Sequence, residues 1–417
     1  MSKQKLIPEL RFPEFVEDGE WDLKEFSKFI KLDRGSSPRP IQEYLTQDES
    51  GVNWIKIGDT KNAVNSVIYQ VEEKITSKGA EKSRRVEKGE LILANSMSFG
   101  KTYELAIEGC IYDGWFVLRK YEKHFNKAFL LQLLNSDFMQ NQYKRLSAGG
   151  IVQNISSDIV CNSKLFHITL PEQQKIASCL SSLDEVIAAH IQKLTLLKDH
   201  KKGLMQNLFP KAGEKVPRYR FPEFEEDGEW MEKKLGQIGE PLMCKRIFKE
   251  QTTTNPNNGI PFYKIGTFGG KADAFISIEL YEEFKRKYSF PKVSDILISA
   301  AGTIGRLVVY DGLPAYFQDS NIVWLGNDES NVLNSFLFYC YSTIKWQTSD
   351  GGIIRRLYNS DLKNIKISFS NNPKEQQKIA FCLSSLDALI TAQAEQIAQL
   401  KLHKKGLMQG LFPKIKD

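Results

Sequence analysis

The sequence predicts an α+β protein in which two globular segments of mixed α/β character are joined by two long antiparallel helices. The helices form a coiled coil in a pseudo-twofold, near-circular arrangement. Three observations predict it. The stretch from Glu172 to Lys211 recurs from Glu375 to Lys414 at a constant offset of 203, with 27 of 40 positions identical. A frame segment opens each half: Arg11-Phe12-Pro13-Glu14-Phe15 and Asp18-Gly19-Glu20-Trp21 return as Arg220-Phe221-Pro222-Glu223-Phe224 and Asp227-Gly228-Glu229-Trp230, at an offset of 209. The segments between, roughly 22–168 and 231–371, agree only in scattered places. The frame is copied and the insert is varied, which divides the chain into 1–168, 169–210, 211–371 and 372–417.

The repeated element reads as a long helix. Ile176, Leu180, Leu183, Ile187, Leu194 and Leu197 make a heptad-like apolar seam, matched by Ile379, Leu383, Leu386, Ile390, Ile397 and Leu400. Thr169 with Glu172, and Asn372 with Glu375, have capping-box spacing at the two starts. Leu-Phe-Pro at 208–210 and 411–413 ends each helix, because proline cannot continue it. Lys201-Lys202 and Lys404-Lys405 suit the negative end of the helix dipole. At 1.5 Å per residue each helix spans roughly 55 Å. The first helix leads into the second globular segment and the second must lead back, so the pair is antiparallel. Asp417 should then return near the N-terminal frame.

The inserts read as short β-rich runs broken by Gly, Asn and Asp, with helical patches at 127–145 and 331–346. Trp54-Ile55-Lys56-Ile57-Gly58 resembles Phe262-Tyr263-Lys264-Ile265-Gly266, and Gly89-Glu90-Leu91-Ile92-Leu93 resembles Ser294-Asp295-Ile296-Leu297-Ile298. Ser147 to Ile151 resembles Ser349 to Ile353. One fold with drifted surfaces fits these matches.

Bulk composition narrows the class. Apolar residues at 41% and charged residues at 26% are those of an ordinary globular protein, and no apolar run is long enough to span a membrane. A net charge of +6 accords with a polyanionic partner. Six scattered cysteines without a CxxC pair predict a reduced, cytoplasmic protein without structural zinc. A twofold protein with two unlike heads suits duplex DNA, whose half-sites one turn apart lie about 34–36 Å from each other. The target implied is asymmetric and bipartite, with an unread spacer.

The motif EQQKIA-x-CLSSLD, the later HKKGLMQ-x-LFP and the repeated RFPEF…GEW frame resemble the specificity subunit of type I restriction–modification enzymes over the whole chain. The resemblance implies two target-recognition domains alternating with two long helices, and no chemistry in this chain. It implies that the subunit recruits two adenine-methylating subunits and nuclease–translocase subunits. Those partners would carry S-adenosylmethionine, ATP and magnesium, so no cofactor or metal is expected here.

Phosphate contacts need Lys, Arg and backbone donors, and base reading favours Arg, Asn and Gln on loops. The DNA-binding candidates are Lys56, Arg84, Arg85, Lys101, Arg145 and Gln153 in the first head. In the second they are Lys264, Lys271, Arg306, Arg355 and Arg356. Gly149-Gly150 and Gly351-Gly352 would bring backbone close to a groove. A solvated surface charge is the ordinary alternative for each basic residue. Off the seam, both copies share Gln173, Gln174, Ser181, Ser182, Asp184, Lys201, Lys202, Met205 and Gln206, repeated as Gln376, Gln377, Ser384, Ser385, Asp387, Lys404, Lys405, Met408 and Gln409. Solvent would not demand this duplication, and two copies of one docked partner would.

Catalytic alternatives are weak. Gly100-Lys101-Thr102 resembles the end of a phosphate-binding loop, but Asn95 stands where that loop needs glycine. Asn255-Pro256-Asn257 and Asn371-Asn372-Pro373 do not fit a methyltransferase motif. The histidines lack HExxH spacing, and His200 and His403 sit beside Lys-Lys near the helix ends. Glu72-Glu73-Lys74 reads as a solvated face. Cys179 and Cys382 read as small buried hydrophobes. A coiled-coil scaffold whose heads bind protein is the competing class, and salt-dependent binding of duplex DNA separates the two.

Overall fold

The computed structural model describes residues 5–96, 100–147, 154–257, 259–344, 346 and 356–415. The chain divides into two units: unit 1 comprises residues to Leu194 together with those from Gln393 onward, and unit 2 comprises Thr195–Ala392.

In unit 1 the strands are β1 (Asp22–Glu25), β2 (Lys31–Arg34), β3 (Leu45–Thr46), β4 (Val52–Ile55), β5 (Val67–Ile68) and β6 (Glu73–Ile75). They continue with β7 (Arg84–Val86), β8 (Leu91–Ala94), β9 (Thr102–Leu105), β10 (Gly109–Ile111), β11 (Trp115–Arg119) and β12 (Lys164–His167). Helices are α1 (Ser77–Glu81), α2 (Lys127–Leu134), α3 (Asp137–Leu146), α4 (Ser157–Asn162) and the long α5 (Leu170–Asn207). Unit 2 holds β13 (Met231–Lys234), β14 (Gly239–Leu242), β15 (Gly259–Tyr263), β16 (Ala274–Ser277), β17 (Ile296–Ser299) and β18 (Leu307–Val309). To these it adds β19 (Tyr316–Phe317), β20 (Ile322–Asn327) and β21 (Lys366–Phe369), with helices α6 (Ile278–Lys287), α7 (Asn334–Thr343), α8 (Asn359–Asn364) and the long α9 (Pro373–Leu411).

The two inserts share one topology despite their unlike sequences. Sheet order β2-β11-β8-β9 in unit 1 corresponds to β14-β20-β17-β18 in unit 2. A second sheet contains β6-β4-β10, matched by β16-β15-β19, each with one parallel pairing. The apolar runs Leu91–Ala94 and Ile296–Ser299 are central strands buried along their whole length, as continuous apolar strands must be. Gly109 is required where β10 meets β4, because a Cβ there would lie 2.5 Å from the Asn53 carbonyl oxygen. β1 pairs with β12 and β13 with β21, so the two ends of each insert are stitched together.

Both predicted helices are present and unbroken, at 38 and 39 residues, and both end at Leu-Phe-Pro. Their starts differ from the capping-box expectation. Glu172 instead receives a bidentate pair from Arg11 at 2.8 and 2.9 Å, and Glu375 receives the same from Arg220 at 2.8 Å. Both carboxylates are buried, and each arginine also donates to a glycine carbonyl of the frame turn, Gly19 or Gly228. Asn372 does cap, accepting from the Lys374 amide at 3.0 Å.

The seam is also divided in function. Ile176 and Leu180 lie in the core of unit 1, and Ile379 and Leu383 in that of unit 2, so the first turns pack in cores shared by a globular segment and the end of the partner helix. Ile187, Leu386 and Ile397 are buried further along, while Leu183, Leu194, Leu197, Ile390 and Leu400 are half-buried. Within unit 1, α5 and α9 run antiparallel: Lys404 pairs with Asp184 at 2.6 Å, and Gln393 donates to the His190 carbonyl at 3.0 Å. Unit 2 contains the reciprocal pair, Lys201 with Asp387 at 2.5 Å.

Each unit is completed by the helix end of the other repeat. In unit 1 the Leu10 amide donates to the Gly410 carbonyl, and Phe412 packs edge-on against Trp21 at 6.0 Å. In unit 2 the Tyr219 amide donates to Asn207, and Phe209 packs against Trp230 at 6.1 Å. No helix among the described residues is long and apolar enough to cross a membrane.

Removing one member of a buried ion pair strands the other, at a cost of about 3–5 kcal/mol. Glu172→Ala and Glu375→Ala should each lower stability by that order in denaturant titrations, whereas Lys215→Ala, which breaks the exposed pair with Glu229, should leave the unfolding midpoint almost unchanged.

Candidate nucleic-acid interface

One loop arrangement is built twice. In unit 1 the chain leaves β2 at Arg34 and passes flat over the 111–115 loop: the Gly35 amide donates to Trp115 and the Ser36 amide to Ile111. A Cβ at Gly35 would lie 1.9 Å from the Tyr112 carbonyl oxygen, so only glycine permits this approach. Asp113 is the focus. Its carboxylate accepts from Ser37 Oγ at 2.7 Å and faces Arg39 at 3.6 Å, while its carbonyl accepts from Arg34 and Asn95. Arg84 donates to the Arg34 carbonyl at 3.1 Å, and Lys82 reaches the Tyr44 hydroxyl at 2.6 Å.

Unit 2 repeats this after β14. Arg246 pairs with Asp319 at 2.9 Å, and Arg356 donates to the adjoining Ser320 carbonyl at 3.2 Å. Tyr316 hydroxyl fixes the Lys245 carbonyl, and the Lys245 ammonium lies 5.1 Å from the Tyr288 ring. Asp113 precedes β11 and Asp319 precedes β20, the strands that pair with β2 and β14.

The side chains of Arg39 and Arg246 are 83% and 61% exposed. Ion pairs so exposed contribute little to stability. Their effect is orientation: a guanidinium held by one edge still presents donors suited to phosphate or to guanine. Burial pushes the Tyr112 phenol up, opposed by its hydrogen bond with Ser96. Burial likewise pushes the Cys244 thiol up to about 12, leaving it protonated and unreactive. Among the described residues no cluster of three or more His, Cys, Asp or Glu is arranged to hold a metal ion.

The sequence-chosen residues do not converge on one site. Arg84 joins Arg34 and Arg39, and Arg356 joins Arg246. A second cluster in unit 2 forms around the 267–270 turn, where Arg306 donates to the Phe268 carbonyl at 2.7 Å, Lys264 pairs with Asp273, and Lys271 is exposed. Lys56 is held by Glu73 at 2.5 Å, and Arg85 and Lys101 are exposed. Arg145 lines a separate groove at the end of α3. Gly149, Gly150, Gln153, Gly351, Gly352 and Arg355 lie outside the described residues. Sequence reasoning missed Arg34, Arg39, Lys82, Lys245 and Arg246. For all but Lys82 the available signal was a basic loop following the second insert strand, β2 or β14, in both halves.

The duplicated helix residues need correcting in part. Gln173 and Gln376 are buried, and each bridges three backbone groups of its own unit: His124, Ile168 and Asn126 for the first, Asn331, Ser370 and Leu333 for the second. Asp184, Lys201, Asp387 and Lys404 join the helices, and Met205 and Met408 pack on the cores. Ser181 is half-buried and Ser384 donates to the Phe381 carbonyl. For these the duplication has an internal cause. Gln174, Ser182, Lys202, Gln206, Gln377, Ser385, Lys405 and Gln409 are exposed.

Residues 19–199 and 227–402 match the family model described as the type I restriction modification DNA specificity domain. A Haemophilus influenzae protein, provisionally named a type I restriction enzyme specificity subunit, is 54% identical over 161 residues, 39% of this chain and 41% of that protein. The MjaVIII specificity subunit of Methanocaldococcus jannaschii is 24% identical, covering 97% of this chain and 93% of its own. Among solved structures, a type I restriction–modification S subunit from M. genitalium aligns with TM-score 0.61 at 14% identity over 99% of this chain and 100% of that one. A chain from a structure on assembly and conformational transition of the type I system aligns at 0.57 and 19% identity, over 94% and 97%.

Arg246→Ala is expected to weaken binding of a target duplex by about 1–3 kcal/mol, with stability unchanged to within about 0.5 kcal/mol. Affinity titrated across a salt series checks this, and an unaltered affinity and slope would remove Arg246 from the interface.

Proposed function

As the chain belongs to the type I restriction–modification DNA specificity family, we propose that each of its units reads one half of an asymmetric, bipartite duplex site. The observation that carries this reading is the double occurrence of one exposed arginine–aspartate loop, on equivalent sheets, in inserts whose sequences differ. Arg34, Arg39 and Arg84 in unit 1, and Lys245, Arg246 and Arg356 in unit 2, supply the cationic donors that phosphates and base edges require. Because the surrounding residues differ, the two half-sites differ.

On the same reading the long helices set the unread spacer. The exposed duplicated residues, Gln174 with Gln377 and Ser182 with Ser385 among them, offer equivalent seats for two methyltransferase subunits. Those partners, and any nuclease–translocase subunits, carry the chemistry with S-adenosylmethionine, ATP and magnesium, and this chain supplies the address.

Sequencing methylated adenines in cells that hold this chain with its methylating partner is the test. A single asymmetric bipartite motif is expected, and Arg246→Ala should relax or abolish recognition of one half only. A continuous palindrome would overturn the reading.

A further inference from the structure

A three-way junction between an insert helix and the two long helices is built in both units. In unit 1 the Asp184 carboxylate on α5 accepts from Lys404 of α9 at 2.6 and 2.7 Å and from Gln132 Nε2 of α2 at 3.0 Å. In unit 2 the Asp387 carboxylate on α9 accepts from Lys201 of α5 at 2.5 Å and from the Tyr339 hydroxyl of α7 at 2.9 Å. The Lys201 ammonium also lies 5.5 Å from the centre of the Tyr339 ring. Burial, and then the hydrogen bond to Asp387, push the Tyr339 phenol up, so it remains a donor.

The aspartates and lysines belong to the copied helices, whereas Gln132 and Tyr339 belong to the varied inserts. These two occupy equivalent places. Each stands six residues after the backbone amide, of Asn126 or Leu333, that donates at 2.8 Å to Gln173 or Gln376. One is an amide and the other a phenol, yet both donate. Pairing of the helices needs only the lysine, so the second donor has another cause.

Leverage supplies it. Each insert is already held on the first turns of its long helix by the arginine–glutamate clamp, by Gln173 or Gln376, and by core packing. Contacts confined to those turns resist tilting along the helix weakly, because their lever arm is short. Asp184 lies twelve residues beyond Glu172, and Asp387 twelve beyond Glu375, about 18 Å further along the helix. A hydrogen bond at that distance arrests the tilt, and the lysine ties the same point to the other helix. Unit 1 adds a second tether. Val64 and Val67 close a two-residue turn with Asn65 and Ser66 both at positive φ, and Asn65 Nδ2 donates to the Asp184 carbonyl at 3.3 Å.

We propose that Asp184 and Asp387, with the insert donors Gln132 and Tyr339, are positioning residues that fix the tilt of each insert on its helices and so restrict the chain to one spacer length. The inference rests on the bipartite reading above and names the residues that select its spacer. The unit 2 junction is the more open, with Lys201 and Asp387 side chains 26% and 37% exposed, and can be trimmed with less disturbance than that of unit 1.

The test sequences methylated adenines in cells that hold the full chain, or a variant, with its methylating partner. The unaltered chain is expected to give one spacer length. Tyr339→Phe removes a hydroxyl and keeps the ring; the share of methylation at sites with a spacer one base pair longer or shorter should rise roughly tenfold, the value of one hydrogen bond to a charged group. Gln132→Leu should broaden the spacer likewise, and Tyr339→Gln, which restores a donor of the unit 1 kind, should narrow it again. Ile367→Val trims the unit 2 core away from the junction and should leave a single spacer. An unchanged spacer distribution in Tyr339→Phe and Gln132→Leu would overturn the proposal. Loss of methylation at every spacer, or equal broadening by Ile367→Val, would do so as well, since either marks a merely structural role. A continuous palindrome from the unaltered chain would overturn the bipartite reading itself, and the proposal with it.

Discussion

The buried guanidinium–carboxylate clamp between frame and helix is the interaction on which each unit depends. Arg11 and Glu172 are 161 residues apart, and Arg220 and Glu375 are 155 apart, yet each pair closes bidentately with the carboxylate out of solvent. Buried ions persist only when paired. The hydrogen bond that each arginine donates to its glutamate raises the arginine pKa further, so the guanidinium stays charged. The same guanidinium fixes the frame turn through Gly19 or Gly228, which delivers Trp21 or Trp230 to the core.

That clamp explains how the inserts vary while the frame does not. An insert must bring its two ends together as an antiparallel pair, Asp22 opposite His167 or Met231 opposite Phe369, and it must offer backbone groups to Gln173 or Gln376. Beyond those demands its loops are unconstrained, and the six-residue difference in separation is absorbed there. The frame also holds the end of the other repeat's helix, through Leu10 to Gly410 and Tyr219 to Asn207. Copying the frame and the helix together therefore preserves both contacts at once.

The candidate interface was less legible than the frame. Arg84 and Arg356 each stand in an Arg-Arg pair, Arg84-Arg85 and Arg355-Arg356, but their neighbours Arg39 and Arg246 carry the same local signature as any exposed arginine. The repeat offered no help, because Arg39 and Arg246 are 207 positions apart and Asp113 and Asp319 are 206 apart, values that match neither duplicated segment. The duplicated helix residues misled in the opposite direction. Gln173 and Lys201 are repeated because each performs the same internal task twice, and a repeat does not distinguish a buried obligation from a surface one.

The sequence by itself determined the two helices, their ends, their antiparallel sense, the paired frames and the mixed α/β inserts. Each of these rests on local periodicity, on proline at a fixed place, or on direct repetition. Tertiary structure alone decided that the duplicated glutamates serve arginines rather than helix caps, and that the early seam also joins the globular cores. It alone brought Arg39 to Asp113 and Arg246 to Asp319. Those outcomes depend on which side chains meet across more than seventy residues of chain, a distance over which no local pattern carries information.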